Sequence, residues 1–136
     1  MDARCVETRI RNQISEVGSV ADLVSRFCAA HSLSNQLLVA LSVSLDEALS
    51  NIIKYAYSDQ HGHSILVRLA YEPGGVAATV EDDGRPFDPL SAPQPDLTSP
   101  DRDSGFGIHF IKNLMDEVRY IREGGLNRLV MRKRIV

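Results

Sequence analysis

From Ser34 to about Tyr57 the chain keeps an unbroken helical period, with Leu38, Leu41, Leu45, Ala48, Leu49 and Ile52 on one stripe. Ser34 stands where an N-cap belongs. A helix with such a stripe must bury it against another layer of structure, which limits the folds open to the chain. Bordering the apolar stripe runs a polar one made of Glu47, Asn51 and Lys54. Residues at i and i+4 share a helix face, with Cβ atoms roughly 6 Å apart. The polar stripe therefore groups a carboxylate fit to act as a general base, an amide oxygen fit to ligate Mg²⁺, and a cation suited to phosphate.

The flanking segments define the second layer. Arg4 to Ile14 alternates loosely and reads as a strand. Ser15 or Ser19 can cap a helix to about Ala30, with Val17, Val20, Ala21, Val24, Phe27 and Cys28 on one face. Ser64 to Tyr71 and Val76 to Glu81 read as a hairpin about the turn Glu72-Pro-Gly-Gly75. Regular periodicity then stops, and Asp82 to Ser104 holds Pro86, Pro89, Pro93, Pro95 and Pro100. A loop of that length in a compact domain is usually functional. Ile108 to Asp116 reads as a short helix, and Val118 to Arg122 and Asn127 to Val136 as two last strands around Gly124-Gly125. The expected fold is α+β: a two-layer α/β sandwich whose mixed, mostly antiparallel sheet is covered on one face by helices. Residues 1–136 are expected to form a single domain.

Composition narrows the function classes. A net charge of −3 supplies no basic patch for nucleic acid. No run approaches the roughly 20 apolar residues of a membrane span, and Met1-Asp-Ala-Arg4 lacks the apolar segment of a signal peptide. Cys5 and Cys28 have no metal spacing and are expected to be reduced thiols, one on a strand and one in the core, in a cytoplasmic protein. His31, His61, His63 and His109 form no ligand pattern and are assigned to the surface.

Two further segments carry chemistry. Asp82 ends a strand before Gly84, where a carboxylate can accept from an adenine amino group and a glycine lets the backbone approach the ring. Pro86-Phe87 offers an apolar wall for a base. Gly105-Phe106-Gly107 opens the short helix, whose N-terminal amides suit an anion. Each signal alone has a plain structural reading: a solvated helix face, an Asp-Gly turn, a flexible hinge. The dinucleotide pattern G-x-G-x-x-G fails at Phe110. In their order, the three signals point to an ATP site.

That order, E-x-x-x-N-x-x-K on a helix, D-x-G at a strand end and G-x-G entering a helix, resembles the Bergerat-fold ATPases, and most nearly the anti-sigma-factor serine/threonine kinases. Leu45 to Tyr57, Asp82 to Pro89 and Gly105 to Val118 carry the likeness. The resemblance implies that Glu47 is the general base and Asn51 the Mg²⁺ ligand, with Asp82 and Gly84 at adenine. It implies an ATP lid from about Asp88 to Ser104, with Gly105, Phe106, Gly107 and Ile108 at the phosphates. It further implies ATP and Mg²⁺ as cofactors, a STAS-type anti-sigma antagonist as substrate, a homodimer, and a sigma factor as a further candidate partner. Histidine kinases, whose imidazole target needs no base, do not usually place Glu at the position of Glu47, and 136 residues are expected to leave no room for their dimerisation hairpin. A partner-sequestering module that binds ATP without catalysis, and an ATP hydrolase in which Glu47 activates water, remain open alternatives. The chain departs from the family pattern in three places. Pro86-Phe87 replaces a second glycine, Ser104 precedes Gly105, and Leu126 to Met131 lacks the small hydroxyl residue relatives often place near adenine.

Overall fold

The computed structural model describes residues 4–57, 62–86, 88, 90 and 106–135, with side chains left undescribed at 106–109. Among the described residues, five strands form one sheet: β1 (Cys5–Arg11), β2 (Ser64–Glu72), β3 (Gly75–Asp82), β4 (Glu117–Glu123) and β5 (Leu126–Arg134). Among the same residues three α-helices pack with it: α1 (Gly18–Ala30), α2 (Asn35–Tyr55) and α3 (Phe106–Leu114). The spatial order is β1-β2-β3-β5-β4. All four pairings are antiparallel, so the parallel pair that a mixed sheet would contain does not occur among the described residues.

Alternation along the strands separates two faces. Ile65, Val67 and Leu69 on β2, Val76, Ala78 and Val80 on β3, and Leu129 and Met131 on β5 point to the helices and are buried. With Val24, Leu41, Leu45, Leu49 and Ile111 they form one continuous core. The opposite face carries charge pairs, Glu7 with Arg68, Glu81 with Arg128, Glu72 with Arg132 and Glu117 with Arg119, around the buried Leu66, Ala77 and Val130. Such partly exposed pairs contribute only about 0–1 kcal/mol each, so the fold rests on the inner face.

Ser34 caps α2 as expected, its hydroxyl accepting from the Leu37 amide at 3.2 Å. The start of α1 differs from expectation. A short 3-10 turn, Ile14–Glu16, precedes it, and its N-cap is Val17, without a side-chain cap bond. Ser19 instead lies inside the helix and donates to the Glu16 carbonyl at 2.8 Å. Helix α2, at 21 residues, is long and apolar enough by length and composition alone to cross a membrane, a test that a buried core helix also passes. Its apolar stripe is buried in the core, and Asp46, Glu47 and Lys54 interrupt its outer face.

Two histidines also differ from the surface assignment. His31 stacks on Tyr71 with ring centroids 4.6 Å apart and lies 4.8 Å from Phe27. His63 stacks on Tyr57 at 4.2 Å. Both are half-buried because an imidazole ring presents an apolar face as well as polar edges. His61 lies outside the described residues, and the His109 side chain is undescribed. Cys5 is exposed on β1 and Cys28 is buried in α1, as expected.

Candidate functional site

Of the polar stripe of α2, Asn51 meets the end of β3 at one cleft, while Glu47 and Lys54 are not among the residues that line it. Ala48, Asn51, Ile52, Ala56, Val80, Asp82, Ile111, Tyr120, Asn127 and Leu129 line it, enclosing about 410 Å³ with the space open to solvent included. Its walls are mostly apolar, with few polar groups among them, which is the usual makeup of a small-molecule site. Asn51 projects into it from α2, one turn after the half-buried Glu47. Lys54 is exposed on the last turn of α2 and is not among the lining residues.

Asp82 shares the inward face of β3 with Val76, Ala78 and Val80, so strand alternation turns a carboxylate toward the helices at the sheet's end. It is 4% exposed. Its Oδ1 accepts from the Gly84 amide at 2.9 Å and from Asn127 Nδ2 at 3.0 Å. Burial pushes the Asp82 carboxyl above its ordinary range. The Asn127 and Gly84 hydrogen bonds and the Arg122 charge pull it down, while Asp83 adds to the rise.

The turn after Asp82 is tied to the end of α2. The Arg85 amide donates to the Ala56 carbonyl at 2.9 Å, and Arg85 Nε to the Tyr55 carbonyl at 2.7 Å. These are carbonyls that a helix end leaves without intrahelical partners, and a guanidinium is favoured there by the helix dipole. Tyr57 donates to Asp83 Oδ1 at 2.9 Å, and His63 Nδ1 lies 3.4 Å from the same oxygen. Burial and the neighbouring carboxylates push the Tyr57 phenol well up. Gly84 is packed rather than open. A Cβ there would lie 2.5 Å from the Ala56 carbonyl oxygen and 2.7 Å from Ala56 Cβ. The glycine is thus required by helix-to-turn packing, a reason separate from the ring approach expected from sequence.

Asn127 and Tyr120 were not singled out in the sequence. Antiparallel pairing sets Asn127 directly opposite Asp82. A signal was nonetheless present: Asn127, Leu129 and Met131 share one face by alternation, so a polar residue falls on an inward row. It occupies the hairpin where the expected small hydroxyl residue is missing.

The structure therefore brings Asn51, Asp82 and Gly84 together, with Glu47 one turn from Asn51. Phe87 and Gly105 lie outside the described residues, as does most of the span from Asp88 to Ser104 expected to be a lid. Phe106, Gly107 and Ile108 form the first turn of α3, which begins two residues earlier than expected. Among the described residues no cluster of three His, Cys, Asp or Glu side chains could hold a metal ion.

An apolar cleft between a long helix and an antiparallel sheet, with a buried carboxylate among its walls, is a candidate small-molecule site. Residues 10–133 match the family model described as the histidine kinase-like ATPase domain, and the chain belongs to that family. It is 30% identical over 101 residues to the serine/threonine-protein kinase BtrW of Bordetella bronchiseptica, covering 72% of this chain and 71% of the relative. It is 23% identical over 133 residues to the serine-protein kinase RsbW of Bacillus subtilis, covering 92% and 82%. Among solved structures, the RsbU and RsbW domains of Rv1364c from Mycobacterium tuberculosis align with a TM-score of 0.66 at 16% identity. That alignment covers 96% of this chain but 32% of the other, and it speaks for the fold alone.

Proposed function

We propose that residues 1–136 act as one ATP-binding domain that is a serine/threonine protein kinase, transferring phosphate to a STAS-type anti-sigma antagonist. The observation that carries the reading is the shared cleft. Asn51 and Asp82, remote in sequence, line one pocket, and Glu47 precedes Asn51 by one turn of α2. The names of the relatives BtrW and RsbW, both protein kinases, favour the same reading.

The donor set fits Mg²⁺ that arrives with nucleotide. The Asn51 amide oxygen would hold the ion, which often takes only one or two protein ligands. When bound, the ion neutralises phosphate charge. The chain's own residues do the rest. Asp82 orients the base, and the apolar walls Ile52, Val80 and Leu129 exclude water from it. Glu47 takes the proton from the attacking hydroxyl, and positioning supplies most of the acceleration. Lys54, Gly105, Phe106, Gly107 and Ile108 remain the candidates for phosphate contacts. The edge strand β1 with α1 is the candidate surface for a homodimer, and a sigma factor is a further partner. The setting is cytoplasmic.

The test is phosphate transfer from labelled ATP to the cognate antagonist. Glu47→Gln should bind Mg-ATP and the antagonist normally yet transfer at least ~100-fold more slowly. Asn51→Ala should lose Mg-ATP binding. A wild type that binds the antagonist with ATP but never phosphorylates it would establish the sequestering module instead.

A further inference from the structure

Asn127 is 4% exposed, and both ends of its amide are hydrogen-bonded within the protein. Its Nδ2 donates to Asp82 Oδ1 at 3.0 Å and to the Arg85 carbonyl at 2.8 Å, with the Gly84 carbonyl at 3.4 Å. Its Oδ1 accepts from the Tyr120 hydroxyl. The amide can sit only this way round. Reversed, its oxygen would face a carboxylate and two carbonyls, all acceptors. Arg122 Nη1 donates to the Gly84 carbonyl at 2.8 Å, so the β4–β5 hairpin holds Asp82, Gly84 and Arg85 of the turn.

The consequence falls on Asp82. Both donors, Asn127 and the Gly84 amide, land on the same oxygen, Oδ1. Oδ2 is left as the atom the carboxylate can offer to the cleft it lines. A carboxylate held as an ion offers an acceptor and nothing else. A purine with a 6-amino group donates to it, whereas a 6-oxo group meets it oxygen to oxygen. Were Asp82 to protonate it would present a donor too, and were it to rotate its free oxygen would lose its aim; either change would blur the distinction. Among the influences on Asp82, the Asn127 hydrogen bond is the largest opposing the rise that burial causes.

We propose that Asn127, locked by Tyr120, is the positioning residue that sets base selectivity in this cleft. By occupying Oδ1 it holds Asp82 as a one-oxygen acceptor that selects 6-aminopurine over 6-oxopurine nucleotides. The inference rests on reading the cleft as the nucleotide site. It assigns to an amide, engaged entirely inside the protein, a task that a merely structural residue would not perform.

The experiment is a cycle that removes the amino group from the ligand and the amide from the protein. Mg-ATP, Mg-GTP and the triphosphate of purine riboside, which lacks the 6-amino group, are titrated calorimetrically into the wild type, Asn127→Leu and Tyr120→Phe. The wild type should prefer ATP over purine riboside triphosphate by about 10- to 100-fold, the worth of one hydrogen bond to a charged group. In Asn127→Leu that preference, and the preference over GTP, should collapse toward unity. Tyr120→Phe keeps the amide and should narrow both preferences several-fold, so the claim stays testable if the leucine variant fails to fold. A structural role alone would weaken all three ligands together and leave their ratios intact, and that result overturns the inference. Equal wild-type binding of ATP and purine riboside triphosphate also overturns it. A wild type that binds no Mg-nucleotide overturns the reading of the cleft, and the inference with it.

Discussion

Gly84→Ala is the sharpest test of how the base end of the cleft is held. The added Cβ would lie 2.5 Å from the Ala56 carbonyl oxygen, 2.7 Å from Ala56 Cβ and 2.9 Å from Asp82 Oδ1. Carbon contacts settle at roughly 3.5–4.0 Å, so the gap must open by about 1 Å. The nearest atom is backbone at the end of α2, which cannot yield without moving the helix. The turn must therefore retreat. That stretches the Arg85 N–H bond to Ala56 and the Gly84 N–H bond to Asp82, both 2.9 Å. A neutral hydrogen bond is worth about 1 kcal/mol and one to a charged group about 1.5–3 kcal/mol. Overpacking alone costs about 1–3 kcal/mol. Retreat relieves the clash as it breaks the bonds, so these costs overlap, and the expected loss is about 2–4 kcal/mol. Urea melts should show it, and calorimetry should show weakened ATP binding because Asp82 is displaced. Gly18→Ala is the control. Its Cβ would meet nothing within 4 Å at the first residue of α1, and alanine there should be neutral or stabilising by up to ~1 kcal/mol. A Gly84→Ala protein within about 0.5 kcal/mol of wild type, with normal ATP affinity, would refute the packing argument.

Two further outcomes are expected. Burial raises the folded-state pKa of Asp82 above its unfolded value, so its favourable contribution is present below the unfolded pKa and lost as pH rises through the folded one. Asp82→Asn keeps an acceptor for Gly84 and Asn127 without that loss. It should be at least as stable as wild type at neutral pH, with any advantage closing as the solution is acidified, while ATP affinity falls. Urea melts over that pH range check it, and a variant clearly less stable at neutral pH would contradict it. Ser44 is fully buried in α2, and its hydroxyl is without a hydrogen-bond partner among the described residues. Ser44→Ala should therefore be neutral or stabilising by about 1 kcal/mol in thermal or urea unfolding, and a marked loss would mean that the hydroxyl has a partner.

Local periodicity alone determined much of this protein. The Leu41, Leu45, Leu49 stripe, the Ser34 cap and the hairpin of β2 and β3 follow from side-chain spacing and turn chemistry, which act over a few residues. The placing of Glu47 one turn before Asn51, and of Asp82 at a strand end, was legible for the same reason. The start of α1 was not, because two serines could cap it and backbone geometry chose neither. Only the tertiary structure decided what completes the cleft. The chain leaves β3, returns through α3 and β4, and inserts β5 between β3 and β4, so Asn127 meets Asp82 across 45 residues. The same return brings Tyr120 onto Asn127 and Arg122 onto the turn, while Gly84 is compelled by Ala56 at the end of a helix that precedes it by a whole hairpin. Side-chain spacing encodes which face of a strand is buried. Which strand lies opposite is set by the burial of the whole inner face at once, and no local pattern carries that choice.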